Sequence, residues 1–203
     1  MIDHMGVPPW GAVALVSYIP DPLRSFLTEM RELIPETNIP EPHITILPPR
    51  PLKQPVETAS NAIKATLASF TAFTVELSKV RHFPETNFLY LDVAEGNSSI
   101  HDLHRALNIG KLAHAERFEF RPHLTLGGPI NNGQIHHAER RAEAAWRSNR
   151  SSPHVSIEEL VCLWLPPHSR CWSDWRRMWS FRLLSDATEP NNGREAEITT
   201  QTY

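Results

Sequence analysis

The chain has 203 residues, 40% of them hydrophobic and 21% charged, with a formal net charge of −3. That is length enough for one sizeable core, in the balance of a globular protein rather than a disordered or fibrous one. It excludes a globally basic nucleic-acid binder, so any phosphate-bearing ligand must be drawn by a local cluster of cations.

Residues 1 to 9 are expected to form a loose leader, with no basic start before an apolar core. Without a targeting signal, the cytoplasm is the expected compartment, with no membrane association. Trp10 to Tyr18 (WGAVALVSY) is a near-continuous apolar run, too short to span a bilayer, and reads as a strand buried on both faces. Asp21-Pro22 supplies a helix start, and Leu23, Phe26, Leu27, Met30, Leu33 and Ile34 recur at helical spacing until Pro35 and Pro40 end the run. Pro42-His43-Ile44-Thr45-Ile46 then alternates polar and apolar residues, the period of a strand with one buried face. Leu47-Pro48-Pro49-Arg50-Pro51 is expected to leave the sheet, because proline donates no ladder hydrogen bond. A helix is predicted over Val56 to Phe70, with Ala62, Ile63, Thr66 and Leu67 facing inward.

Phe73 to Val80 and Phe88 to Val93 read as a strand pair turned at Phe83-Pro84-Glu85-Thr86-Asn87. Asn97 or Ser98 can cap a helix reaching about Leu107. Phe118 to Leu126 reads as a strand stopped by Gly127-Gly128-Pro129, and inside it Pro122-His123-Leu124-Thr125-Leu126 repeats the earlier pattern. Gln134 to Arg147 is a charged, Ala-rich helix, and Val155 to Leu165 and Trp175 to Leu184 read as two strands joined by Pro166 to Ser173. The stretch from about 185 to 203 is polar and expected to be disordered, leaving 1 to 184 as one domain of two halves. Helices and hairpins in this order argue for an α+β domain with a concave sheet between two lobes.

The doubled motif carries the chemistry. In a chain of this composition the paired five-residue pattern has a chance expectation on the order of 0.01. Each copy puts an imidazole and a hydroxyl on one face of its strand: His43 with Thr45, and His123 with Thr125. Two histidines can divide the work of phosphodiester cleavage, one taking a proton from the attacking oxygen and the other giving one to the leaving oxygen. The threonine hydroxyls can donate to the non-bridging oxygens. The scheme requires no metal and no cofactor.

At these residues the sequence resembles the 2H phosphoesterase superfamily, and within it the 2′-5′ RNA ligase or cyclic phosphodiesterase branch, over roughly Gly11 to Leu184. The resemblance implies a bilobal, duplicated fold of concave antiparallel sheets with flanking helices, and His43, Thr45, His123 and Thr125 in a central cleft. It also implies a monomer acting on RNA ends or small cyclic or 2′-5′ linked nucleotides. Many relatives follow the second motif with a small residue and an Arg, where this chain has Gly127-Gly128. Arg50 or Arg121 is the candidate replacement cation, and Phe83, Phe88 and Tyr90 are candidates to stack on a base.

Other readings stay open at this level. The motif histidines could be structural, its threonines plain strand formers, and Phe83, Phe88 and Tyr90 core residues. The same residues could run the reaction backwards as a ligase, or grip an RNA end without turning it over. His101-x-x-His104 or His136-His137 could ligate a metal, though neither has cysteine or carboxylate partners at fixed spacing, and exposed histidines are the plainer reading. Arg117, Arg121, Arg140, Arg141, Arg147 and Arg150 make the second half locally basic, as a solvated helix face would. Cys162 and Cys171 flank the turn before the last strand, and reduced thiols are expected.

Overall fold

The computed structural model describes residues 10–34, 39–167, 169 and 174–185. The expected leader, Pro35, Cys171 and nearly all of the expected C-terminal tail lie outside the described residues. In chain order the elements are β1 (Ala12–Tyr18), α1 (Leu23–Arg31), β2 (His43–Pro51), α2 (Val56–Leu67), β3 (Phe73–His82), β4 (Leu89–Val93), α3 (Asn97–Leu107), β5 (His123–Gly127), α4 (Ile135–Arg147), β6 (His154–Ile157), β7 (Glu159–Leu165) and β8 (Arg176–Arg182). A single 3-10 turn, Gly110–Leu112, follows α3.

All strands join one antiparallel sheet in the order β6-β3-β4-β5-β2-β1-β7-β8. The order divides evenly at its centre, four strands to each side, and the two motif strands β5 and β2 are the central pair. The expected α+β duplication is therefore present as one curled sheet. The curl follows from connectivity. Strands β6 and β7 are separated in sequence only by Glu158, yet stand six places apart in the order. A flat sheet would put them roughly 29 Å apart at about 4.8 Å per strand, so it must bend its ends together. The segment after β8 completes the approach: Leu183 N–H donates to Glu158 O at 2.7 Å, and Leu184 bridges Thr71 just before β3.

The alternation expected of the motifs is what anchors the central pair. Ile44, Ile46, Leu124 and Leu126 are fully buried on the helix-covered face. A one-residue slip of either strand would turn its own two into the open face, at a cost of about 3–6 kcal/mol from apolar exposure alone. Position for position, Pro42 to Arg50 and Pro122 to Ile130 share the same sequence of buried, half-buried and exposed residues.

Several boundaries differ from expectation. The Leu47–Pro51 segment does not leave the sheet: β2 continues to Pro51, paired to β1 through Val13↔Arg50 and Ala12↔Pro51. Its partnership with β5 is confined to Ile44↔Leu124, so Pro48 and Pro49 lie where β2 has a neighbour on one side only, as an edge tolerates. Val155 to Leu165 is two strands, because the chain crosses at Glu158 from one end of the sheet toward the other. Of the Phe118–Leu126 run only His123 onward is strand, which continues to Gly127, and α2 stops at Leu67. The inner stripe of α2 is Val56, Ala59, Ser60, Ile63 and Leu67, with Ala62 and Thr66 only half-buried. Helix α3 begins at Gly96 with φ 73° and no side-chain cap; Asn97 turns back to the Val93 carbonyl at 3.2 Å instead. Cys162 is fully buried, and burial pushes its thiol up to about 12, leaving it inert.

Candidate active site

The register at the centre of the sheet assembles the four motif side chains. Ile44 lies opposite Leu124, so one step along the antiparallel pair sets His43 across from Thr125 and Thr45 across from His123. All four are half-buried on the open face. Each histidine is held by the backbone two residues before it: His43 Nδ1 lies 2.7 Å from Glu41 O and His123 Nδ1 lies 2.6 Å from Arg121 O. A carbonyl oxygen only accepts, so each Nδ1 carries a hydrogen and each Nε2 is left to take or give a proton.

Both imidazoles are pushed below the usual histidine range, chiefly by desolvation. The Arg31 guanidinium adds to this at His43, and the neighbouring His43 adds to it at His123. The register sets both rings on one face of the central pair. Above the lowered values both rings are neutral, and a bound anion favours their protonation.

The helices brace the motif strands crosswise. From the end of α1, Arg31 donates through Nη2 to Thr125 O on β5 at 2.5 Å and through Nη1 to Pro40 O at 2.7 Å. From α3, His104 Nδ1 lies 3.0 Å from Ile46 O on β2. Each half thus grips the motif strand of the other. Arg31 is 7% exposed, and burial pulls its pKa down to about 10, so it remains a cation close to His43.

A cleft of about 950 Å³ opens beside this floor, lined by Thr45, Thr125 and His123 among others. Phe83 stacks on Tyr90 with centroids 4.1 Å apart, and both rings stand edge-on to His123 at 4.9 and 5.5 Å. Edge-on contact restrains the imidazole without blocking Nε2. Phe83 and Phe88 line the cleft, whereas Tyr90 is fully buried apart from its share of the wall. Arg121 also lines the cleft, donating to Tyr90 Oη at 2.9 Å, and Arg117 is exposed on the same wall.

Arg50 is placed elsewhere. It is 1% exposed and spends its donors on Glu116 at 2.8 Å, Asn108 Oδ1 at 2.6 Å, Leu112 O at 2.9 Å and Pro48 O at 3.2 Å. It fastens the segment before β5 to the end of β2, with four of its five N–H donors committed to protein oxygens, and it does not line the cleft. Nor can Gly128 be exchanged for an arginine: its φ is +132° and a Cβ there would lie 2.8 Å from Phe88 Cα. Of the arginines weighed from sequence as substrate partners, the cleft receives Arg121.

A family model for the 2′-5′ RNA ligase superfamily matches residues 19–167. The chain belongs to that superfamily. A Geobacillus sp. (strain WCH70) protein provisionally named a phosphoesterase is 32% identical over 101 residues, 45% of this chain and 58% of the relative. One from Halalkalibacterium halodurans, named in the same way, is 29% identical over 104 residues, 47% of this chain and 60% of the relative. The matches thus span under two thirds of either curated relative. Among solved structures, Escherichia coli LigT complexed with 3′-AMP aligns at a TM-score of 0.55 and 12% identity, covering 85% of this chain and 98% of LigT. Kluyveromyces marxianus Usb1 aligns at 0.56 and 10% identity, covering 75% and 93%. At such identities the likeness is one of fold, and it agrees with the curled sheet and central pair described above.

Other residues of the site have no simple signal in the sequence. Arg31 reads as an ordinary polar helix end, and only the fold brings it beneath β5. Tyr18 meets His43 edge-on at 6.0 Å and carries the Arg177 guanidinium 4.1 Å above its ring, while Arg177 pairs with Glu41 at 2.8 Å. This gives His43 an aromatic neighbour from β1, as Tyr90 of β4 serves His123. Of the other histidines, His104 is structural, stacked on Phe120 at 3.8 Å. Arg140, Arg141, Arg147 and Arg150 are exposed on or just after α4, as a solvated face. Among the described residues no helix is long and apolar enough to cross a membrane.

Proposed function

We propose that the protein hydrolyses a 2′,3′-cyclic phosphate, or a related cyclic or 2′-5′ linked nucleotide phosphodiester, to a monoester, acting in the cytoplasm on RNA ends or small nucleotides. The observation that carries the reading is the matched pair of imidazoles on adjacent strands, each with Nδ1 committed to a carbonyl and Nε2 free. One Nε2 takes a proton from water as its oxygen bonds to phosphorus. The other, protonated, gives its proton to the departing ribose oxygen as that P–O bond breaks, and the phosphate stays on its remaining ester oxygen as a monoester. Thr45 and Thr125 donate to the non-bridging oxygens, where charge is held in the transition state. Arg121 and Arg117 set cations on a cleft wall that also carries Glu85, Glu116, Glu119 and Glu139, and Phe83 and Phe88 offer faces for a base.

The test is a panel of 2′,3′-cyclic nucleotides and 2′-5′ linked dinucleotides, assayed with wild type, His43→Ala and His123→Ala. Each substitution is expected to lower kcat by about 10²–10⁴-fold, the usual contribution of a general acid or base. Equal turnover by all three proteins would rule the reading out. Tight binding without product would indicate a binding module, and joining of RNA ends in a gel assay would reveal the reverse, ligating direction.

A further inference from the structure

The histidine on one strand and the histidine–glutamate pair on the helix packed against it form a second constellation, at the rim of the cleft. His82 ends β3, while His136 and Glu139 lie one turn apart at the start of α4. We propose that His82, His136 and Glu139 bind a divalent transition-metal ion of the zinc class.

The geometry is that of converging ligands. One donor atom from each residue lies within 4.8 Å of the other two. Glu139 Oε2 is 3.1 Å from His82 Nδ1 and 3.7 Å from His136 Nδ1. A tetrahedral ion with bonds of about 2.0–2.1 Å needs donors about 3.3–3.4 Å apart, a value these two distances bracket. The donor set, two imidazoles and one carboxylate, suits zinc and its neighbours and not a hard cation such as calcium.

The three ligands also stand on a rigid frame. Strand β6 pairs with β3 only from Phe73 to Glu76, so beyond that point α4 covers the open edge of β3. Glu143, one turn after Glu139, accepts the Val80 N–H at 3.0 Å and locks the helix to the strand just before His82. The rings of His82 and His136 already meet edge-on at 5.5 Å. An ion pair alone would set two imidazoles against a single carboxylate. A dication instead takes both rings neutral and balances the carboxylate, and three protein ligands leave a fourth position for water or a ligand oxygen. His82 and Glu139 both line the cleft that holds His123, so that position is reachable from it. The adjacent histidines His136 and His137 are thus divided, with only the first joining the cluster.

The site is separable from the hydrolytic reading, because it is read by metal binding and not by turnover. Chelator-treated full-length protein is titrated with Zn²⁺ by calorimetry and with Co²⁺ by visible absorption. Wild type is expected to take up one equivalent with the intense bands of low-coordinate cobalt. His136→Ala is a safe probe, since that side chain is 74% exposed and its loss costs the fold little. His136→Ala and Glu139→Gln should each weaken binding at least about tenfold. His154→Ala should leave it unchanged, which separates this site from the more exposed group of Glu76, Glu95 and His154. Three results overturn the proposal: no saturable binding up to about 1 mM metal, binding unaffected by His136→Ala and Glu139→Gln, or binding lost in His154→Ala.

Discussion

At the scale of single residues, proton placement in the site is decided by what the imidazoles touch. Glu41 O and Arg121 O fix the tautomers, while desolvation and nearby cations lower both pKa values below the ordinary 6.5. The base must be neutral and the acid protonated, so kcat/KM falls on either side of an optimum set by the two free-enzyme values. With both lowered, that optimum is expected on the acid side of 6.5. A bound phosphate favours the charged forms, so the kcat profile should lie at higher pH than that of kcat/KM. Profiles that coincide, or a kcat/KM optimum above pH 7.5, would contradict this assignment of charge. Thr45→Ala and Thr125→Ala should each lower kcat about 10–10³-fold by removing an oxyanion donor, with His tautomers unchanged. Replacement by Ser should restore most of the loss, since only the hydroxyl is used.

At the scale of elements, the motif strands are legible in sequence because alternation is local, whereas their surroundings are set by pairing that is not. Ile44 and Leu124 announce a buried face from their neighbours alone. Pro48 and Pro49 forbid a strand only if both sides are paired, and no local pattern tells that β5 has already turned away. Glu158 looks like one residue within a strand, yet the crossing there depends on the sheet's curl. Arg50 looks from its place beside the motif like a phosphate ligand, because the sequence hides that Glu116, Asn108 and two carbonyls converge on it. That convergence is testable. Arg50→Met leaves the Glu116 carboxylate, 15% exposed, without its buried partner and should cost about 3–5 kcal/mol in urea unfolding. Adding Glu116→Gln removes the stranded charge, so the double variant should be more stable than Arg50→Met alone. Additive losses would mean that the pair is not coupled.

For the whole molecule, three half-buried or buried imidazoles, His43, His104 and His123, share one consequence. Each is lowered chiefly by desolvation, so between the ordinary value of 6.5 and the folded values the unfolded chain binds more protons than the native one. Stability must therefore fall as pH drops from 6.5 through the folded values and be fully recovered above 6.5. Asp21 is lowered too, but from 3.8, so its loss comes at more acid pH and does not mask the effect. The urea midpoint is expected to be level from about pH 8 to 7 and to decline toward pH 5.5. Saturating phosphate should flatten the decline, because an anion in the groove favours charge on His43 and His123 and leaves only His104 to resist it. His104→Asn, which keeps a side-chain N–H near the Ile46 carbonyl, should remove that remaining slope while phosphate is present. A midpoint that stays level to pH 5.5 without phosphate would mean that the three rings are no less hydrated in the fold than in the unfolded chain, and that the groove between the two motif strands is open to water throughout.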